Sequence, residues 1–336
     1  MFVDDGVMDI RIVNLRAIAI LLVVIGHSII LYDPSWGLYY SEVSMPLFES
    51  IKHYLINPVQ MPIFFFISGF LFYHSVNSKK ELSFSKFFRS KFFRLIVPYF
   101  CIALLWMNPI KWLVHAPGYA NISDLKFVIL YQTLFSGHLG HLWYLPTLFG
   151  VFAVAFLCEL FFKHYIRSSW HTSFHVALLF IFFILHYVAP YSPSWFCLSS
   201  IANYMVYFYG GIIFNVLLIN RIIVLPPPKV GILLCWLASL GGAICIESIR
   251  VFFILVFVVS SYLLLPASTN RLMKSLSDNS YGIYLFHSPL IYIIYTYFKD
   301  SNPWLVLFLN FIVMGGLAWL LTIVVSKSRL KFIVGN

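Results

Sequence analysis

Two residues with chemical capability stand in the first long apolar run of the chain, Arg16 and His27. At 100° per residue their eleven-residue spacing closes about three helical turns, which puts both on one helix face roughly 16 Å apart along the axis. An imidazole held among apolar helices stays neutral, and a neutral imidazole can take a proton from a hydroxyl. The local sequence Ile25-Gly26-His27-Ser28 is small on both sides of the ring, so a substrate or a second helix can come close. A histidine that bonds two helices together would look the same, and spacing leaves both readings open.

His287, in Tyr284-Leu285-Phe286-His287-Ser288-Pro289, is a second histidine inside an apolar run, and the proline after it frees a backbone carbonyl and bends its helix. His138 and His141 stand three apart before Trp143, with no third ligand at metal-site spacing, so no metal is expected. Lys91 and Arg94 are also three apart and would share a helix face at a membrane edge. Two cations there suit either a phosphorylated ligand or anionic lipid headgroups. Glu247 and Arg250 are spaced to neutralise each other, and Glu159 lies within an apolar run.

The elements that must position these groups are helices in lipid. Of the 336 residues, 61% are hydrophobic and 10% are charged. That is far below the roughly 25% charge of a soluble domain, too little polar surface to face water. Long continuous apolar runs, without the alternation of a membrane barrel, predict an all-α polytopic transmembrane bundle. About ten runs reach spanning length: 15–32, 57–75, 95–114, 142–163, 173–190, 200–219, 229–246, 249–266, 281–298 and 304–325. Segment 125–135 is too short to span and is expected at the interface. Pro226-Pro227-Pro228 predicts a stiff turn.

The net charge of +10 does not point to nucleic acid, because the basic residues fall in short gaps between apolar runs. With ten spans, 17 of the 22 basic residues fall on one side, among them Arg11, Arg16, Lys91, Arg94 and Lys327. Lys52, Lys111, Lys126, Arg250 and Lys299 fall on the other. This predicts both termini in the cytosol of a cell inner (plasma) membrane. No gap is long enough for a soluble domain, so 1–336 reads as a single membrane domain. The first run follows Arg11 and Arg16 and precedes no small-residue cleavage site, and is expected to be a retained helix. Five cysteines, in or beside apolar runs, suggest neither a disulfide framework nor a zinc site.

Taken in order, the motifs resemble those of the membrane acyltransferase-3 family, most closely its sugar O-acetylase branch. The carriers are Arg11-Ile-Val-Asn14-Leu-Arg16 followed by Val24-Ile-Gly-His27-Ser28; Met61-Pro62 leading to Ser68-Gly69; Lys91-Phe-Phe-Arg94-Leu-Ile-Val-Pro98; His141-Leu-Trp143-Tyr-Leu-Pro146; and Ser280-Tyr281-Gly282-Ile-Tyr284-Leu-Phe-His287. The resemblance covers nearly the whole chain. It implies His27 as catalytic base with Arg16 beside the catalytic path, and Lys91 and Arg94 as contacts to the phosphates of an acyl-CoA donor. It implies acetyl-CoA or a related acyl-CoA as donor substrate, with no tightly bound cofactor. The acceptor it implies is a hydroxyl of a surface glycan or its lipid-linked precursor, with Trp143, His141, His287 and Ser68 as candidate substrate contacts. The chain departs from the family at Lys91, where arginine is usual and bidentate geometry is lost; at Asn14, where an acidic residue is usual; and at Gln60, where many sugar O-acetylases carry histidine. The alternative reading is a proton-coupled membrane transporter, which intramembrane histidines and broken helices would suit. Against it stand the lack of an inverted repeat and of acidic residues spread through the spans.

Overall fold

The computed structural model describes residues 9–36, 41–77, 83–116, 119, 122–127, 129–130, 133, 140–166, 170–192, 195–220, 222 and 229–335. Lys79, Lys80, His138, Arg167, Arg221 and Pro226-Pro227-Pro228 lie outside them. No strand occurs among the described residues. The long helices are α1 (Ile10–Ser28), α2 (Pro46–Val76), α3 (Phe84–Leu113), α4 (Gly140–Tyr165), α5 (His171–Tyr191), α6 (Leu198–Ile219), α7 (Lys229–Cys245), α8 (Glu247–Leu264), α9 (Arg271–Phe298) and α10 (Pro303–Ser326). The fold is an all-α polytopic bundle.

Eight of these helices are long and apolar enough to cross a bilayer, against about ten expected. The other two expected runs are helical but fall short on one property each. Helix α7 has 17 residues. Helix α9 has 28 residues, but Tyr281, Tyr284, Tyr292, Tyr295, His287, Ser288 and Pro289 make it more polar than its neighbours.

Two helices begin earlier than the apolar runs predict. Helix α2 starts at Pro46, inside a stretch expected to be loop. Helix α3 starts at Phe84, inside the basic gap. The reason at Phe84 is amphipathic spacing: Phe84, Phe87 and Phe88 recur on one face while Lys86 and Arg89 stay exposed. Phe87 stacks on Phe156 at 4.3 Å. Wider π turns at Ile51–Ile56, Phe92–Ile96, Ala103–Met107 and Leu309–Met314 interrupt the regular ladder of α2, α3 and α10.

The described residues form two compact units, each assembled from separate stretches of chain. The first comprises residues up to Arg16, Met61–Arg89 and Thr147–Met273. A close crossing joins α2 to α6. A side chain on Gly69 would collide with the Phe208 carbonyl, and one on Gly211 with the Phe66 carbonyl, so only glycine lets these backbones meet. Asn215 Nδ2 donates to the Phe70 carbonyl at 2.8 Å beside this crossing. Helices α7 and α8 break at Ile246, where Arg250 Nη1 lies 3.5 Å from Glu247 Oε1 and its Nε donates to the Ala243 carbonyl at 3.0 Å. The expected neutralisation at this joint therefore also caps the open carbonyl end of α7.

The first unit also explains two residues that spacing left unassigned. Asn14 is buried and its Nδ2 donates to the Pro266 and Ser268 carbonyls at 3.2 and 2.9 Å. A carboxylate could not donate there, so this chain's departure to asparagine has a local structural use. Glu159 is buried 3.4 Å from His175 Nε2, which lies 3.3 Å from His171, which in turn meets the Tyr73 hydroxyl at 3.1 Å. This polar chain fastens α4, α5 and α2 to one another.

The second unit comprises Ala17–Gln60, Ser90–Pro146 and Lys274–Asn336. None of the five cysteines forms a disulfide.

Candidate functional site: a histidine cluster in the second unit

Three histidines, from α1, α4 and α9, converge in the second unit. His27 Nδ1 lies 2.9 Å from His287 Nε2. The His141 ring stands edge-on to both, with centroids 6.2 Å from His27 and 5.4 Å from His287. His141 and His287 are buried, whereas His27 is half-buried and keeps accessible surface.

Helix α9 builds the cluster from one stripe. Tyr284, His287 and Tyr295 are spaced by three and eight residues, which returns to the same face each time. The Tyr284 hydroxyl donates to the His141 carbonyl, and the Tyr295 hydroxyl donates to the His27 carbonyl. Asn310 Nδ2 donates to the Ser28 carbonyl at 3.3 Å. The open carbonyl end of α1 is thus satisfied by side chains of α9 and α10, and His27 is held in the last turn of a pinned helix. Where Pro289 disrupts the ladder of α9, Trp106 Nε1 donates to the Phe286 carbonyl at 3.2 Å.

The hydrogen bonds specify the tautomers. His287 Nδ1 faces two carbonyl oxygens, of Ile283 at 2.8 Å and Tyr284 at 2.9 Å, so it must carry the proton. In the neutral ring its Nε2 is then an acceptor, and His27 Nδ1 is the donor. The remaining nitrogen of a neutral His27, Nε2, is left with its lone pair. A base with its other nitrogen tied to an orienting group is the arrangement general-base catalysis needs. His287 takes the place that a carboxylate holds in many such pairs. Both nitrogens of His287 are committed, and among the described residues no three His, Cys, Asp or Glu side chains are arranged to hold a metal. Neither ring nitrogen of His141 makes a hydrogen bond of standard geometry.

Ser28, next to His27, is buried and gives its hydroxyl to the Val24 carbonyl at 2.7 Å, so it is not presented as a nucleophile. A side chain on Gly26 would meet Ile56 Cγ2 at 2.8 Å and Gln60 Oε1 at 2.9 Å. Glycine at 26 therefore lets the Gln60 amide lie against the turn that carries His27, and Gln60 Oε1 is buried with no donor among the described residues.

Of the residues singled out from sequence, the fold brings together His27, His141 and His287. Arg16 is half-buried on α1, about 16 Å along the axis from His27, and belongs to the first unit, as does the half-buried Ser68. Trp143 is half-buried, with its ring edge-on to Tyr144 at 6.4 Å. Lys91 is half-buried and Arg94 is exposed. Arg94 falls in the π turn Phe92–Ile96. Its carbonyl accepts the Tyr281 hydroxyl at 2.7 Å.

Two lysines that sequence counted among the five basic residues of the other membrane side are buried. Lys52 Nζ pairs with Asp33 Oδ2 at 2.9 Å and reaches Asn57 Oδ1 at 3.2 Å. Lys111 is buried on α3 and lies over the Tyr292 ring, 4.1 Å from its centroid. Burial also pushes the Tyr119 phenol above its ordinary range, so it stays protonated and donates to Asn108 Oδ1 at 3.0 Å. The only signal in the sequence for these residues was their proximity to aromatic and amide side chains.

Compared with known families, the chain matches the acyltransferase-3 profile, described as an acyltransferase domain, over residues 9–324. No curated protein and no solved structure gives a match.

Proposed function

The chain belongs to the acyltransferase-3 family and is a membrane acyltransferase, and from that premise we propose that it moves an acetyl or similar acyl group from cytosolic acyl-CoA to a hydroxyl of a surface glycan or its lipid-linked precursor. The observation that carries this reading is the His27–His287 hydrogen bond, which leaves His27 Nε2 as a base on an accessible ring.

In the proposed reaction the acceptor hydroxyl gives its proton to His27 Nε2 as its oxygen attacks the thioester carbonyl. The C–S bond then breaks, and the imidazolium returns the proton to the departing thiolate. His287 keeps the His27 ring in the productive tautomer throughout, and acts as a positioning residue. The protein works in a cell inner membrane with both termini in the cytosol, where acyl-CoA is available. Lys91 and Arg94 hold the donor's phosphates, and Arg16 lies along its path. His141 and Trp143 are contacts for the acceptor. Ser68 is a further candidate contact.

The test supplies labelled acetyl-CoA to membranes containing the protein and analyses glycans for ester-linked label. Membranes with the wild-type chain should label glycans. His27→Ala should insert normally and lose transfer by about 10²- to 10⁴-fold, the usual contribution of a general base. Full transfer by the His27→Ala protein would refute the assignment of the base.

A further inference from the structure

Lys111 is 6% exposed and Asn108, three residues earlier on the same face of α3, is 3% exposed. The Lys111 ammonium lies 4.1 Å from the Tyr292 ring centroid and 5.5 Å from that of Tyr119. Among the described residues no carboxylate pairs with it and no acceptor bonds it. The amide of Asn108 is oriented by Tyr119, whose hydroxyl occupies Oδ1, and its Nδ2 is buried without an acceptor. Two buried donors, one of them cationic, therefore stand side by side with their hydrogen-bonding capacity unused. Ring faces offset part of the cost of burying an ammonium but offer little to an amide N–H.

What would satisfy both is an anion, and its place in the fold says whose. Gly140, the residue before His141, has a left-handed backbone with φ of 51°, and a side chain there would stand 3.6 Å from Lys111 Nζ. The nearest atom to such a side chain would be Met107 Cε at 2.5 Å, so glycine lets the segment that carries His141 pack against Met107 and Lys111. Arg94 is on the same helix seventeen residues earlier, about 25 Å away along the axis. A donor phosphate held at Arg94 is therefore a different anion from one held at Lys111.

We infer that Lys111 and Asn108 form an anion site for the acceptor, and that the acceptor is a saccharide bearing a carboxylate or phosphate near the hydroxyl that is acylated. This rests on the acyltransferase reading of the same site and names its substrate class. The acidic group docks on the Lys111 ammonium and the Asn108 amide, and the sugar hydroxyl is carried to the histidine cluster. The Tyr292 and Tyr119 rings exclude water from the ammonium and strengthen its hold on the anion.

The experiment measures binding separately from transfer. Full-length protein in detergent is titrated with glucuronate, glucose 1-phosphate and glucose at matched ionic strength, following thermal stability. At least one of the two acidic sugars should stabilise the wild-type protein where glucose does not, and which one does so separates carboxylate from phosphate. Lys111→Met should weaken that binding about ten- to hundredfold, the value of a charge-assisted hydrogen bond. Lys111→Arg should retain most of it. A stabilisation equal for glucose and both acidic sugars, or none from either acidic sugar, overturns the inference without needing any variant. So does anion binding that survives Lys111→Met, or a Lys111→Met protein whose transfer falls equally to neutral and acidic acceptors, which would place Lys111 at the reacting carbonyl instead. Intact acidic-sugar binding with no transfer by the wild-type chain would count against the acyltransferase reading and leave the anion site standing.

Discussion

Replacing His287 with alanine should slow transfer without removing the base. The substitution leaves His27 Nδ1–H without its acceptor at 2.9 Å and removes the two carbonyl contacts that define the His287 tautomer. A buried donor stripped of its partner loses about 1–3 kcal/mol. Applied to the transition state, that is a loss of about 5- to 150-fold in kcat/KM. The loss should lie in kcat, because the bond orients the base and does not touch the donor. His287 is fully buried, so alanine also leaves a cavity, and rates must be expressed per folded protein. Glutamine at 287 can offer Oε1 to the same Nδ1–H and should retain more activity than alanine. The decisive measurement is the double variant, assayed with labelled acetyl-CoA in membranes normalised for folded protein. If His287 acts only through His27, His27→Ala/His287→Ala will be no slower than His27→Ala. Independent, multiplying losses, or a His287→Ala protein at the wild-type rate, would refute the orienting role.

Two further outcomes are expected. Arg94→Ala should raise the KM for acetyl-CoA about tenfold with kcat little changed, and saturating donor should restore the rate, as read from initial velocities over a donor titration. Gly69→Ala should drive a methyl group into the Phe208 carbonyl and destabilise the first unit by about 1–3 kcal/mol, visible as a lower unfolding temperature in detergent.

The neutral His27–His287 pair also bears on why the site tolerates its setting. A carboxylate in place of His287 would bring a full charge into a buried position, with a desolvation cost of several kcal/mol. A second imidazole orients the base by hydrogen bonding and adds no charge in the neutral state. The buried ion pair of Lys52 with Asp33 in the second unit includes an amide partner in Asn57, which shares the load of its burial.

Much of this was legible in the amino-acid order because it follows from local rules. Apolar run length and charge scarcity made the chain a helical membrane protein, since the solvent a helix faces is written in its own side chains. The same order placed His27 and His287 within helices, and the joint at Glu247 and Arg250 was readable because its partners are three residues apart. The tertiary structure alone decided which buried polar groups meet. His27 and His287 are 260 residues apart in the chain, and no periodicity says that their rings lie within hydrogen-bonding distance. Lys111 and Lys52 carry the same charge as any loop lysine, so sequence assigned them to orientation. Only packing shows that one is buried against Asp33 and the other against two tyrosine rings with no counterion among the described residues. Local sequence sets what each helix can bury, while long-range packing selects the partners, and the chemistry of this site is a property of those partners.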